Sequence, residues 1–495
     1  VTISFNEIPG NLRVPLFYAE VNAGGSVYNS SQRLLLIGQK SSTGTASENT
    51  PVLVSSKTED GLFGGGSMLC DMVKWARNAA PFQEIWALPV ADDAAATASK
   101  WTVTFAAAGF PVAVKTSYTA YIGGRRYVSA VSTSDTAATA AAAFAAVVNA
   151  DAYAYVTATS AAGVVTLTAK NAGKAAGVID VRSVYYGDES AFHANVTIAQ
   201  TVTGAMNPDI TLALAGLNAE PFDWIVAPFD DASNRATMST FLDGISGRWS
   251  PIQQLYGHAF MVSEGTVGAL TALGLSMNDP HITMVGTYKS PTPGWAIAAT
   301  WGAMAAKHLQ APPELSRPLQ FLTLPGVLAP SIADRFAIVD RNVLYYSGIA
   351  LYATDTTGAV KIDRSITTYR LNAAGFSDST WLDVQTIAQT VYMLRYLRTK
   401  VTNIYGRVGL ADDDTPPVQG IARPRDIRNT LIAGYAELVS LGVVENLSAF
   451  ETALIVERNA TDANRVDVYL PYDVVNQLRV IAVNAVTYLQ FPSQS

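Results

Sequence analysis

The most constraining feature is a strand–helix alternation that breaks off and then resumes more than a hundred residues later. Arg33–Gly38 (RLLLIG) is a continuous apolar run with a glycine stop, the pattern of a parallel strand buried on both faces. Leu69–Asn78 follows as a helix, with Leu69, Met72, Val73 and Ala76 on one face, and Glu84–Pro89 (EIWALP) is a second buried strand. The alternation resumes at Trp224–Ala227. Helix Ala232–Gly244, strand His258–Val262, helix Thr266–Leu273, strand His281–Val285 and helix Gly294–His308 come next. Such alternation implies a parallel sheet with helices on its faces. Tyr345–Thr354 and Val360–Tyr369 flank Asp355-Thr356-Thr357-Gly358, a hairpin signal.

Between the two halves, from about Ala94 to Val202, large apolar residues thin out and Ala, Thr, Ser, Val and Gly dominate. Trp101–Phe105, Tyr118–Ile122, Tyr127–Val131, Tyr153–Thr159, Val164–Thr168, Ile179–Val184 and Val196–Val202 read as strands. One helix, Asp135–Ala150, interrupts them, with Thr136 or Asp135 as N-cap. The segment reads as an inserted, mostly β domain. After the hairpin come a long helix, Leu382 to about Tyr405, with Ile387, Val391, Leu394, Val401 and Ile404 as its buried stripe, and a second helix, Pro424–Leu441, stopped by Gly442. Strands Ala453–Arg458 and Arg465–Leu470 and an apolar, extended Val474–Phe491 close the chain. The fold class is therefore multidomain α/β and α+β. The expected organisation is an N-terminal arm (1–25), a discontinuous α/β core (26–93 and 205–370), the insert (94–204), a C-terminal α+β domain (371–472) and a C-terminal arm (473–495).

Charge limits the partners. Charged residues make up 15% of the 495, well under the ~25% usual for soluble domains, which fits either an outside covered by something else, such as other copies, or an Ala-rich composition that dilutes charge. A net charge of −7 argues against a nucleic-acid coat, which needs a basic stripe. The longest apolar stretches, around 137–148 and 295–306, are shorter than the ~20 residues of a membrane span, so no membrane insertion is expected. The single cysteine, Cys70, rules out an intrachain disulfide and reads as a small buried hydrophobe.

Chemistry is hard to assemble from these residues. His193, His258, His281 and His308 are the only histidines; none neighbours a GxSxG elbow, and no HExxH pair exists. Satisfied core or strand-edge histidines are the favoured reading, with a hydrolase on the α/β core as the rival. Asp230-Asp231 follows a strand end, where α/β active sites lie, but Asp230 also suits a helix cap. Phe63–Met68 (FGGGSM) enters a helix without a phosphate-loop pattern and reads as a turn. No catalytic residue, metal or cofactor is expected.

Several stretches, in order along essentially the whole chain, resemble the tail sheath family of contractile bacteriophages, in its Mu-like branch. They are IPGNLRVPLFYAEV (8–21), FGGGSML (63–69), YIGGRRY (121–127) with DTAATAAAAFAAVVNAD (135–151), the hairpin YSGIALYATDTTGAVKIDR running into RSITTYRL (346–371), VERNATDANRVDVYL (456–470) and DVVNQLRVIAV (473–483). The resemblance implies a structural subunit and not an enzyme, with a core subtilisin-like in shape only. It implies partners too: other copies in a helical homopolymer of stacked six-fold rings, the tail tube protein, and baseplate and tail terminator proteins. The implied location is the virion tail, assembled in the bacterial host cytoplasm. Subunit-linking strands would lie at Val14, Leu16 and Tyr18, at Val466 and Val468, and at Leu478, Val480 and Ala482. Arg395 and Arg398 on the long helix are candidate tube contacts. A bacteriocin or secretion-type injector remains the alternative setting.

Overall fold

The computed structural model describes residues 32–185 and 191–489. Its core is one eight-stranded sheet. The order across it is Val360–Arg364, Ile349–Thr354, Ile282–Thr287, His258–Glu264, Trp224–Val226, Arg33–Gln39, Glu84–Val90 and Val52–Leu53. The six inner strands run parallel, and the outermost on each side is antiparallel. Leu34, Leu35, Leu36 and Ile37 are sealed from solvent, which is why that stretch is apolar without alternation. Helix Met68–Ala79 packs on helix Gly294–His308, and both lie against Arg33–Gln39. The second helix is buried at every position from Trp295 to Ala306. Its small residues permit this: a Cβ on Gly302 would stand 2.4 Å from Val226.

Two expectations near the end of the core need correction. Tyr345 and Tyr346 belong to a helix, Ile338–Tyr346, and not to a strand; the strand begins at Ile349 after a turn in which Gly348 takes φ +81°. The aromatic and β-branched residues there suggested a strand, but Leu344 packs inward from a helix. The long helix runs Val384–Tyr405, and its buried arc is Val384, Ile387, Ala388, Tyr392, Met393 and Leu397. Val391, Leu394 and Val401 are only half-buried and Ile404 is exposed. The arc is displaced because the helix packs against both Glu314–Ser316 and helix Pro424–Ser440. Gly442, at φ +70°, stops the latter helix as expected.

The strands of the 94–204 region form two sheets of their own. A four-stranded antiparallel sheet has the order Val196–Val202, Lys100–Phe105, Val164–Ala169, Val156–Ala161; a three-stranded one has Arg125–Val131, Thr116–Ile122, Val181–Arg182. Helix Ala137–Ala150 packs against strands of both. Thr136 caps it, accepting from the Thr139 amide at 3.3 Å while Thr139 Oγ1 accepts from the Thr136 amide at 2.9 Å. Phe105, Tyr118 and Phe144 meet edge to face at its centre.

This region is locked to the core by buried polar bonds. Asp71, on the Met68–Ala79 helix and 3% exposed, accepts from Trp295 Nε1 at 2.9 Å and from Tyr155 Oη at 3.1 Å, with Arg125 at 3.5 Å. Tyr153 donates to Asp60, so the residues expected to begin a strand at Tyr153 instead reach across to the core, and the strand begins at Val156. Asp92 accepts from Gln39, Asn171 and the Ala172 amide. The FGGGSM turn is the seat of this contact. A Cβ on Gly66 would lie 2.2 Å from the Ala154 carbonyl, and the Met68 amide at the helix start donates to Asn171 Oδ1 at 2.8 Å. Gly66 thus lets two backbones meet, and within the 94–204 region a Cβ on Gly123 would press on the Tyr155 ring at 2.6 Å.

Candidate assembly surface

The C-terminal hairpin pairs Ile455–Arg458 with Val466–Tyr469 antiparallel, Val456 opposite Val468 and Arg458 opposite Val466. Asn459 Oδ1 accepts from the Thr461 and Asp462 amides and closes the turn. The hairpin packs on helix Pro424–Ser440, but its sheet has only these two strands among the described residues, so both outer edges carry unpaired backbone groups. Val466 is half-buried, and Ile455, Val468 and Tyr469 are exposed.

From the hairpin the chain is clamped for seven residues and then released. The Glu445 amide donates to the Asp473 carbonyl, and the Val475 amide to the Val443 carbonyl. Gln389 Nε2 donates to the Val475 carbonyl at 2.9 Å while its Oε1 accepts from Gln477 at 3.0 Å. Arg479 Nη2 donates to Asp383 Oδ1 at 2.8 Å and Gln385 Oε1 at 3.0 Å. Asp383 also holds Arg364, so one carboxylate serves two guanidinium groups, and Arg479 Nε and Nη1 are buried without an acceptor. Burial lowers the Arg479 pKa, as expected of a desolvated cation. Beyond this clamp every described residue from Val480 to Leu489 is exposed and lies in no helix or strand. Val480, Ile481, Val483, Val486 and Leu489 are thus exposed apolar residues in succession along the arm.

Of the expected linking residues, Val466 and Val468 lie in the hairpin, and Leu478, Val480 and Ala482 are exposed at the clamp's end and beyond it. Val14, Leu16 and Tyr18 lie outside the described residues. Arg395 is engaged within the chain: it ion-pairs with Asp223, donates to the Leu255 carbonyl at 3.1 Å and lies 5.5 Å from the centre of the Tyr256 ring. It ties the long helix to the sheet. Arg398, one turn on, is exposed.

The groups weighed for chemistry have structural partners. His258, 1% exposed, meets Thr283 Oγ1 at 2.8 Å inside the sheet, and burial holds its pKa down to about 3. His281 stacks on Trp249 at 4.1 Å, and burial lowers it likewise, to about 3. Asp230 is not the helix cap. Asp231 is, accepting from the Asn234 amide, while Asp230 accepts from Ser263 and Lys174. Cys70 is buried, as expected of a small hydrophobe, and its thiol faces Asp60; burial pushes its pKa up to about 12. Among the described residues no helix is long and apolar enough to cross a membrane.

Residues 203–368 match the family model of the phage tail sheath protein central domain, and residues 377–487 that of the phage tail sheath C-terminal domain. The chain is 34% identical over 490 residues to the Mu-like prophage FluMu tail sheath protein of Haemophilus influenzae, covering 97% of this chain and 99% of that one. Among solved structures it is similar to a sheath tail protein from Desulfitobacterium hafniense, with a TM-score of 0.49 and 12% identity over 93% of this chain and 97% of that one. It is also similar to the anti-feeding prophage helical sheath in its contracted state, with a TM-score of 0.44 and 9% identity over 98% and 100% of the two chains. With two sheath domain models in tandem and a relative aligned from end to end, this chain belongs to the phage tail sheath family.

Proposed function

We propose that the chain is the self-assembling subunit of a contractile tail sheath and has no catalytic role. Copies join helically around a tail tube in stacked six-fold rings, between a baseplate and a terminator, and contraction drives the tube through the host envelope. In this reading the subunit is made in the host cytoplasm and ends in the virion tail. The observation that carries the proposal is the pairing of an open hairpin with a released apolar arm in one chain. A two-stranded hairpin is marginal alone and gains stability when further strands join it. An arm from a neighbouring copy supplies such a strand through main-chain hydrogen bonds, and the N-terminal arm around Val14, Leu16 and Tyr18 supplies another. Donor and acceptor surfaces differ, so the contact is heterologous and propagates as a helix. A flexible tether also lets bodies shift between two packings without parting.

Electron microscopy of the purified chain tests this directly. The intact chain should form hollow tubes without nucleotide or metal. A chain ending at Arg479 keeps the clamp and should stay folded yet form none. Tubes of normal length from that truncated chain would remove the arm from the linking role.

A further inference from the structure

The helix Ile338–Tyr346 is amphipathic in the wrong sense for an isolated subunit. Three of its polar side chains are spent inward or locally. Asp340 accepts from the Ala337 amide at 3.3 Å, and Arg341 and Tyr345 both reach Asp363 on the edge strand. What it turns outward is, apart from Asn342, apolar. Ile338 is 74% exposed, Val339 69%, Val343 43% and Tyr346 79%. Val339, Val343 and Tyr346 stand at i, i+4 and i+7, one stripe along the helix, and Ile332 just before it is 79% exposed. A soluble monomer rarely leaves so many large apolar side chains together in water.

The patch joins the root of the arm. Asp363, which anchors the helix, precedes Arg364. Arg364 shares Asp383 with Arg479, the last clamp residue. The helix that carries the apolar stripe is therefore tied to the root of the arm through Asp363, its strand neighbour Arg364 and the carboxylate of Asp383 that Arg364 shares with Arg479. Because the arm is the linking element, the surface at its root is where the body of the next subunit comes to rest.

We propose that the exposed face of helix Ile338–Tyr346 is a body-to-body contact with a second copy of this chain, distinct from the strand exchange of the arms. This rests on the sheath reading, and the two can fail separately. Deleting the arm removes the tether; spoiling the stripe removes the seat and leaves the tether intact.

The test uses the full-length chain. V343D places a carboxylate in the seat, where burial without a partner is costly. It should leave the melting temperature of the dilute, unassembled subunit unchanged and raise the concentration needed for tube formation at least about tenfold. A photo-crosslinking side chain at position 343 gives an independent reading in concentrated solution, whether or not tubes form. Intermolecular products support the seat. Crosslinks only within one chain, for instance to residues 1–31, would overturn it, as would a lowered melting temperature of dilute V343D or unchanged assembly by V343D. Failure of the unaltered chain to form tubes would count against the sheath reading, while the crosslinks would still judge the seat.

Discussion

Replacing Asp71 by alanine tests whether the inserted β region and the core are one mechanical body. The carboxylate is buried, and burial raises its pKa; Arg125, Trp295 and Tyr155 work in the opposite direction. The substitution removes the acceptor of two hydrogen bonds and leaves the Trp295 and Tyr155 donors buried without partners, at about 1–3 kcal/mol each. The Arg125 pair adds little, since that side chain is a third exposed and 3.5 Å away. About 4 kcal/mol is the expected loss. With a slope near 3 kcal/mol per molar urea, the midpoint of the unassembled subunit falls by roughly 1 M. The measurement belongs below the concentration at which copies associate, because assembly would mask the loss by mass action. Asp71→Asn keeps the volume and one acceptor and should lose about half as much. A double-mutant cycle with Tyr155→Phe should show coupling of about 1 kcal/mol or more. A midpoint for Asp71→Ala within 0.3 M of the unaltered chain, at a precision set by the same slope, would refute the idea that this cluster joins the two parts. The same reasoning bears on replacing 94–204 by a short linker. No strand of the eight-stranded sheet lies in that range, so the sheet should persist. The excised core should nonetheless unfold at lower urea, having lost Tyr155, Arg125 and Asn171 from its surface.

Two further outcomes follow from buried charges. Arg395→Ala removes the tie from the long helix to Asp223 and the Leu255 carbonyl and should cost about 2 kcal/mol in urea unfolding; no change would return Arg395 to the role of a partner contact. His258 has a folded pKa of about 3 against an ordinary 6.5, so the unfolded chain binds the extra proton and stability falls as pH drops from 6.5 towards 3. At pH 5.5 this residue alone should cost about 1 kcal/mol relative to neutral pH, and His281 acts in the same direction. His258→Gln should flatten the profile between pH 6.5 and 5, and an unchanged profile would show that the ring is not held neutral.

Local pattern determined a great deal here. The runs Arg33–Gly38 and Glu84–Pro89, the helix Gly294–His308 and the strands of 94–204 were legible because burial on both faces, on one face or around a whole helix each leaves its own periodicity. Thr136 and Gly442 could be read as cap and stop because capping is a short-range bond. Val480, Ile481, Ala482 and Val483 could be read as an uncovered arm because apolar residues in succession need cover on both sides. Tertiary structure decided the rest, because a contact made between residues far apart along the chain leaves no local mark. Gly66 looks like a flexible turn until Ala154 is seen against it. Asp230 and Asp231 are indistinguishable until Lys174 and Ser263 claim the first. Arg395 reads as a surface cation until Asp223, 172 residues away, takes it. Tyr345 and Tyr346 read as the start of the strand that follows, and only the packing of Leu344 and Tyr345 against the core puts them at the end of a helix.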